Sequence, residues 1–191
     1  MADDLSEQVR GYWAGDPAAA EFLARRACRA ALRTAAAVMQ NREDAGDIAQ
    51  DVTIDVLASL DRLRDPAAFD AWVHRITVRH VQRALTRRKR VRVSETALTP
   101  EGDHAVAEGP EQAGLLAARA ALTSALAQLP ARQRIAIALR YVHDMSDAQV
   151  AAALGCRLGT AHALLSRGRA RLRRDPRLAE FAPATTAGGS M

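Results

Sequence analysis

Apolar residues recur along much of this chain at steps of three and four, the spacing that lines one face of an α-helix. Phe22, Leu23, Ala27, Ala30, Ala31, Thr34 and Val38 form one such stripe. Ahead of it, Asp16-Pro17 reads as an N-cap followed by proline at the first helical position, where its missing N–H costs nothing. A helix is therefore predicted from there to about Met39, with Asn41 and Arg42 marking the break. Ile48, Val52, Val56 and Leu60, with Leu57 beside them, predict a second helix from about Asp44 to Leu60. Asp65-Pro66 repeats the capped start. Phe69, Trp72, Val73, Ile76, His80 and Ala84 then share one side of a third helix, which runs into Arg87-Arg88-Lys89-Arg90. Three helices joined by short loops can bury a common core.

Beyond Arg92 the periodicity stops, and Pro100, Gly102, Gly109 and Pro110 sit among acids and small polar residues, as in a linker. A segment of this length reaches roughly 65 Å when fully stretched and averages about 25 Å as a coil. Helical pattern resumes with Leu115, Leu116, Leu122, Leu126 and Leu129 and is ended by Pro130. Residues Ala131 to Tyr141 predict the next helix, with Ile135, Ala138, Leu139 and Val142 inward. Ser146-Asp147-Ala148-Gln149 is a capping box that opens a helix from Asp147 to Leu154. Gly155 supplies a turn, and a last helix runs from about Leu158 to Arg174. The Pro/Ala/Gly/Thr-rich tail is expected to be disordered. The expected fold class is all-α, with two helical domains joined by a flexible linker. The expected boundaries are an N-terminal extension at 1–14, a first domain at 15–91, the linker at 92–111, a second domain at 112–175 and the tail at 176–191.

Charge sharpens this picture through its distribution, not through its net value of +5. Seven cations and no carboxylate lie between Arg79 and Arg92. From Ser94 to Glu111 the sign reverses, with Glu95, Glu101, Asp103, Glu108 and Glu111 and no Lys or Arg. A merely solvated helix face would mix signs, so the basic stretch points to a polyanionic partner. Cys28 and Cys156 are too few and too far apart for a disulfide framework or a four-ligand zinc site, which fits a reducing cytoplasm. His74, His80, His104, His143 and His162 show no ligand spacing, so neither metal nor cofactor is expected. No stretch approaches the ~20 apolar residues of a membrane span. Asp3, Asp4 and Glu7 do not make a signal-peptide start, and a soluble chain without membrane insertion is expected. Phosphate-loop, zincin and serine-elbow motifs are all missing, so no catalytic residue is assigned.

A helix, a glycine turn and a basic second helix at this spacing form a helix-turn-helix pattern. Val150, Ala153, Leu158, Ala161 and Leu165 would lock the two helices, leaving Thr160, His162, Ala163, Ser166, Arg167 and Arg169 on outer faces. A helical hairpin with a merely solvated basic end would show the same pattern.

The two halves taken together resemble one family. Gly15-Asp16-Pro17-Ala18-Ala19-Ala20-Glu21-Phe22, Asp44-Ala45-Gly46-Asp47-Ile48-Ala49-Gln50-Asp51-Val52 and Phe69-Asp70-Ala71-Trp72-Val73-His74-Arg75-Ile76 resemble region 2 of the extracytoplasmic-function sigma factors. Leu129-Pro130-Ala131-Arg132-Gln133-Arg134, Leu139-Arg140-Tyr141-Val142, and Gly159-Thr160 followed by Arg167-Gly168-Arg169-Ala170-Arg171-Leu172 are similar to their region 4. The resemblance implies a promoter-specificity subunit whose partners are core RNA polymerase, at its β′ clamp helices and β flap, promoter DNA, and in some cases an anti-sigma factor. It places Asp47, Gln50, Asp51 and Asp55 at the clamp helices. It likens the segment Leu63 to Phe69 to the loop that captures a flipped minus-10 base, with Arg62, Arg64, Arg75, Arg79, Arg83, Arg87 and Arg88 as cations for the strand. His80 stands where the family usually carries asparagine. In region 4 it assigns Thr160, His162, Ala163, Ser166, Arg167, Arg169 and Arg171 to the minus-35 element. Ala161-His162-Ala163-Leu164 departs from the family there, because two cationic base readers are absent.

Two other readings stay open on the sequence. One is a free helix-turn-helix regulator that binds duplex operators without polymerase. The other is a sigma-like module whose region 4 mainly holds a protein partner, favoured by Leu164 on an outward face.

Overall fold

The computed structural model describes residues 2–39, 41–94 and 110–181. Those residues form eight α-helices and three short 3-10 segments, with no strand among them. The first four helices are α1 (Ala2–Trp13), α2 (Pro17–Val38), α3 (Arg42–Ser59) and α4 (Phe69–Ser94). The second four are α5 (Pro110–Ala127), α6 (Ala131–Val142), α7 (Asp147–Leu154) and α8 (Leu158–Arg173).

Local chemistry sets the helix starts. The Asp16 carboxylate accepts from the Ala18 N–H at 2.8 Å with Pro17 in the first turn, Asn41 caps Glu43 at 2.8 Å, and Asp65 caps Ala67 at 3.0 Å. Asn41 thus starts α3 two residues ahead of the predicted Asp44, and Arg42 is helical. The Asp65-Pro66 start opens a 3-10 turn, Pro66–Ala68, which leads into α4. The Ser146 hydroxyl and the Gln149 side chain close the predicted capping box, and Gly155 ends α7 in the left-handed region at φ 60°, where glycine bears no Cβ penalty.

Leu23, Ala27, Ala31, Val52, Val56, Phe69, Val73 and Ile76 fill the first bundle, while Ile135, Leu139, Val150, Ala161 and Leu165 fill the second. The N-terminal extension is in fact part of the first bundle. α1 buries Leu5 and Val9, the Tyr12 hydroxyl donates to the Leu57 carbonyl at 3.1 Å, and Trp13 Nε1 donates to the Leu60 carbonyl at 3.4 Å. Several expected placements also change. Leu158 is exposed and does not lock the helix-turn-helix; Leu115 and Leu122 are exposed on α5. Leu164 packs against the core and does not face outward. The buried Ala161 and Gly168 lie about one turn away on either side of it, and buried Leu165 follows it directly. Residues 176–181 of the predicted tail form a 3-10 segment, Pro176–Phe181, packed against α5. The ends of the predicted linker are helical, at α4 up to Ser94 and at α5 from Pro110; its middle lies outside the described residues, as does the tail beyond Phe181.

α6 and α8 meet at Gly168, where an added Cβ would stand 3.0 Å from Ile137 Cγ1. Gly168→Val forces branched atoms into that contact. A loss of about 1–3 kcal/mol is expected in urea unfolding of the full chain, and an unchanged midpoint would contradict this packing.

The two bundles also touch. Arg33 donates to the Val142 carbonyl, Arg134 Nη1 donates to the Val38 carbonyl at 3.0 Å, and Thr34 Oγ1 lies 2.8 Å from His143 Nε2. His74 on α4 meets His143 edge to face, with ring centroids 4.4 Å apart. Burial pushes the His74 imidazolium down to about 4, and burial with the neighbouring His74 does the same to His143.

Candidate nucleic-acid interface

One face of α4 is core and the other is cationic. Val73, Ile76, Thr77, Val81 and Ala84 are buried, while Arg75, Arg79, Arg83 and Arg87 form an exposed row at four-residue steps. Like charges at that spacing oppose helix formation by a few tenths of a kcal/mol per pair, so the row costs stability unless a polyanion neutralises it. Gln82 and Thr86 lie between these arginines in one open depression lined by Arg79, Gln82, Arg83, Thr86 and Arg87. Cations alternating with an amide and a hydroxyl can neutralise phosphates and meet unpaired bases.

Beside this row, α3 presents its acids. Asp47, Gln50, Asp51 and Asp55 are all exposed on the solvent face opposite Ile48, Val52 and Val56. The two surfaces are joined by side-chain contacts that residue spacing alone does not reveal. Asp55 Oδ2 lies 2.8 Å from His80 Nε2, and Asp44 pairs with Arg88. Asp55 therefore belongs as much to the cationic α4 surface as to the acidic α3 one, and Arg88 is held by a carboxylate. Arg62 and Arg64 are exposed where the chain turns from α3 to α4. Leu63 between them is buried, as is Phe69, so Leu63 shapes this turn from inside and does not face a strand. Trp72 is half-buried, tilted against Phe69 with ring centroids 6.3 Å apart. The turn is braced by Arg26, whose Nε and Nη2 reach both Asp70 oxygens at 2.7 and 2.6 Å.

In the second bundle, α7 and α8 meet across the Gly155 turn with Val150, Ala161 and Leu165 buried between them. Thr160, His162, Ser166, Arg167 and Arg171 are exposed on α8, and Ala163 is half-buried. Arg169 departs from that set. With Arg173 it borders an apolar groove of about 500 Å³ that contains Leu122, Leu126, Tyr141 and Leu172, on the side facing α5 and α6. Among the described residues no group of three or more His, Cys, Asp or Glu side chains gathers as a metal site would, and no helix is long and apolar enough to cross a membrane.

Two family descriptions match, one on each bundle. Sigma-70 region 2 matches residues 23–91, and Sigma-70 region 4 matches residues 119–172. SigM of Mycobacterium tuberculosis, an extracytoplasmic-function (ECF) sigma factor, is 32% identical over 169 residues, which is 88% of this chain and 83% of SigM. This chain belongs to the ECF sigma factors. SigE of Mycolicibacterium smegmatis is 34% identical over 136 residues, 70% of this chain; the match spans about half of that relative, 52%. Among solved structures, the sigma factor RpoE in complex with the anti-sigma factor NepR from Bartonella quintana is similar at 27% identity and a TM-score of 0.60. It covers 77% of this chain and 89% of RpoE. CnrH, solved with the cytosolic domain of CnrY, shares the fold at 23% identity and a TM-score of 0.64, covering 88% and 94%.

In this sigma factor α1 stands ahead of the segment that matches region 2. Its available signal was the Leu5, Val9, Tyr12 spacing on a short, acid-rich stretch. Region 4 includes the second half of α5 and α6 to α8. Its helix-turn-helix is built as the capping box and glycine turn predict.

Proposed function

We propose that this sigma factor docks on core RNA polymerase through the exposed α3 residues Asp47, Gln50 and Asp51, with Asp55 at the edge of that surface. The cationic row of α4 then tracks the minus-10 strand while α8 enters the major groove at the minus-35 element. The observation that carries this reading is the pair of exposed cationic helix faces, α4 and α8, on two bundles joined by one chain. Arg75, Arg79, Arg83 and Arg87 serve phosphates, His80 stands at the base-proximal end of its pair with Asp55, and Arg62 and Arg64 flank the flipped-base loop. Thr160, His162 and Ser166 read base edges in region 4, with Arg167 and Arg171 on the backbone. The protein acts as a specificity subunit in the cytoplasm and supplies no catalytic group. An anti-sigma protein is the regulator that a solved relative carries, and the apolar groove bordered by Arg169 and Arg173 suits such a protein better than DNA.

Salt dependence tests the phosphate assignment. The triple change Arg79→Ala, Arg83→Ala, Arg87→Ala should flatten the slope of log affinity of the holoenzyme for promoter against log salt by about 0.7–0.9 per contact removed. An unaltered slope would show that the row does not touch phosphate. The free-regulator reading requires tight binding to a specific duplex without polymerase, and no residue on the described surfaces favours it over the sigma reading.

A further inference from the structure

Asp147, Arg140 and His162 come from three different helices and form one relay. Arg140 on α6 donates from Nη1 to the Met145 carbonyl at 2.8 Å, and its Nε lies 3.7 Å from Asp147 Oδ1. The other carboxylate oxygen, Oδ2, lies 2.8 Å from His162 Nδ1 on α8. Asp147 is only 24% exposed, at the first position of the capped helix α7, whereas the His162 side chain is 58% exposed. A carboxylate held from behind thus grips one nitrogen of a ring whose remainder is open to solvent. An isolated surface pair of this kind contributes little to stability, so its consequence lies in orientation.

A carboxylate accepts and never donates, so the proton in this contact belongs to Nδ1, and the partner of one ring nitrogen fixes the role of the other. In the uncharged ring Nε2 is left as an acceptor directed away from α7. In the major groove, acceptors on the protein select the amino groups of adenine N6 and cytosine N4, whereas arginine and lysine select guanine. Ala161 and Ala163 flank His162, so neither neighbour supplies a competing cation.

We propose that Asp147 is a positioning residue that makes His162 an acceptor-type base reader, selecting adenine or cytosine at one position of the minus-35 element. This rests on the reading that α8 enters the major groove.

The test uses the full chain with core polymerase at pH 8 on promoters with a randomised minus-35 element, sequencing the bound fraction. Wild type should favour adenine or cytosine about tenfold at one position, and His162→Ala should flatten that position alone. Asp147→Ala should cut the same preference roughly fivefold, with no further loss when added to His162→Ala. Asp147→Asn keeps an oxygen able to accept the Nδ1 proton and should retain the preference; thermal melts of each variant report folding separately. Preference intact in Asp147→Ala, equal losses at all positions, or guanine or thymine at the His162-dependent position would overturn the proposal. If the triple change Thr160→Ala, His162→Ala, Ser166→Ala leaves selection by the whole element unchanged, the groove reading falls, and the role of Asp147 falls with it.

Discussion

Phe69→Ala should lower the stability of region 2 by about 3–5 kcal/mol, the range for removing a fully buried aromatic side chain. Phe69 has no solvent exposure and is among the largest fully buried side chains of the described residues. It sits where the Pro66–Ala68 turn becomes α4, tilted against Trp72, as the last residue of the segment proposed for base capture. Its removal therefore opens a cavity under the same loop that the proposed function uses. Urea unfolding should show an early transition for the first bundle, while the second, cored by Ile135, Leu139 and Leu165, holds to higher denaturant. A single unfolding transition shifted by less than about 1 kcal/mol would mean that this residue does not carry the core as described.

Acidification is the second large lever, and it acts between the bundles. His74 and His143 are held at about 4 chiefly by burial, against an ordinary imidazole value of about 6.5. Asp70 works against this depression at both rings and Asp144 does so at His143, while Arg33 at both rings and Arg26 at His74 reinforce it. Once the bundles part and the rings are hydrated, they bind protons below pH 6.5 that the docked rings refuse. Docking is therefore at full strength above about pH 6.5, weakens as pH falls towards 4, and changes no further below that. Between pH 7.5 and 5.5 the equilibrium should move towards separation by roughly tenfold for His74, and by less for half-buried His143. Small-angle scattering would register this as a larger radius of gyration at pH 5.5, with the change blunted in His143→Gln. A radius constant across that interval would contradict the role given to the histidine contact.

Much of the fold was legible because its elements announce themselves locally. Asp16-Pro17, the Ser146 to Gln149 box and Gly155 act within a few residues of their own position, and the structure places α2, α7 and α8 within a residue or so of where they predict. α1 carries no such punctuation, and its apolar face is only Leu5, Val9 and the ring of Tyr12; that sparse spacing becomes a helix by packing against its neighbours. The same distinction runs through the candidate site. The exposed row on α4 follows from periodicity alone. The pairs Asp55–His80 and Asp44–Arg88 depend on how α3 crosses α4, and the contact between His74 and His143 depends on how two bundles meet. Leu63, Leu158 and Leu164 were misplaced for a related reason. A single leucine at the edge of an apolar stripe can turn either way, and the neighbouring helix decides.

The most direct test of the account is run-off transcription by core RNA polymerase with and without the purified chain, on genomic fragments, with start sites mapped. The account predicts starts that appear only when both are present, preceded by two shared sequence elements, and lost when Arg79, Arg83 and Arg87 are replaced together. Failure to associate with core polymerase, or tight sequence-specific binding to duplex DNA in its absence, would contradict it.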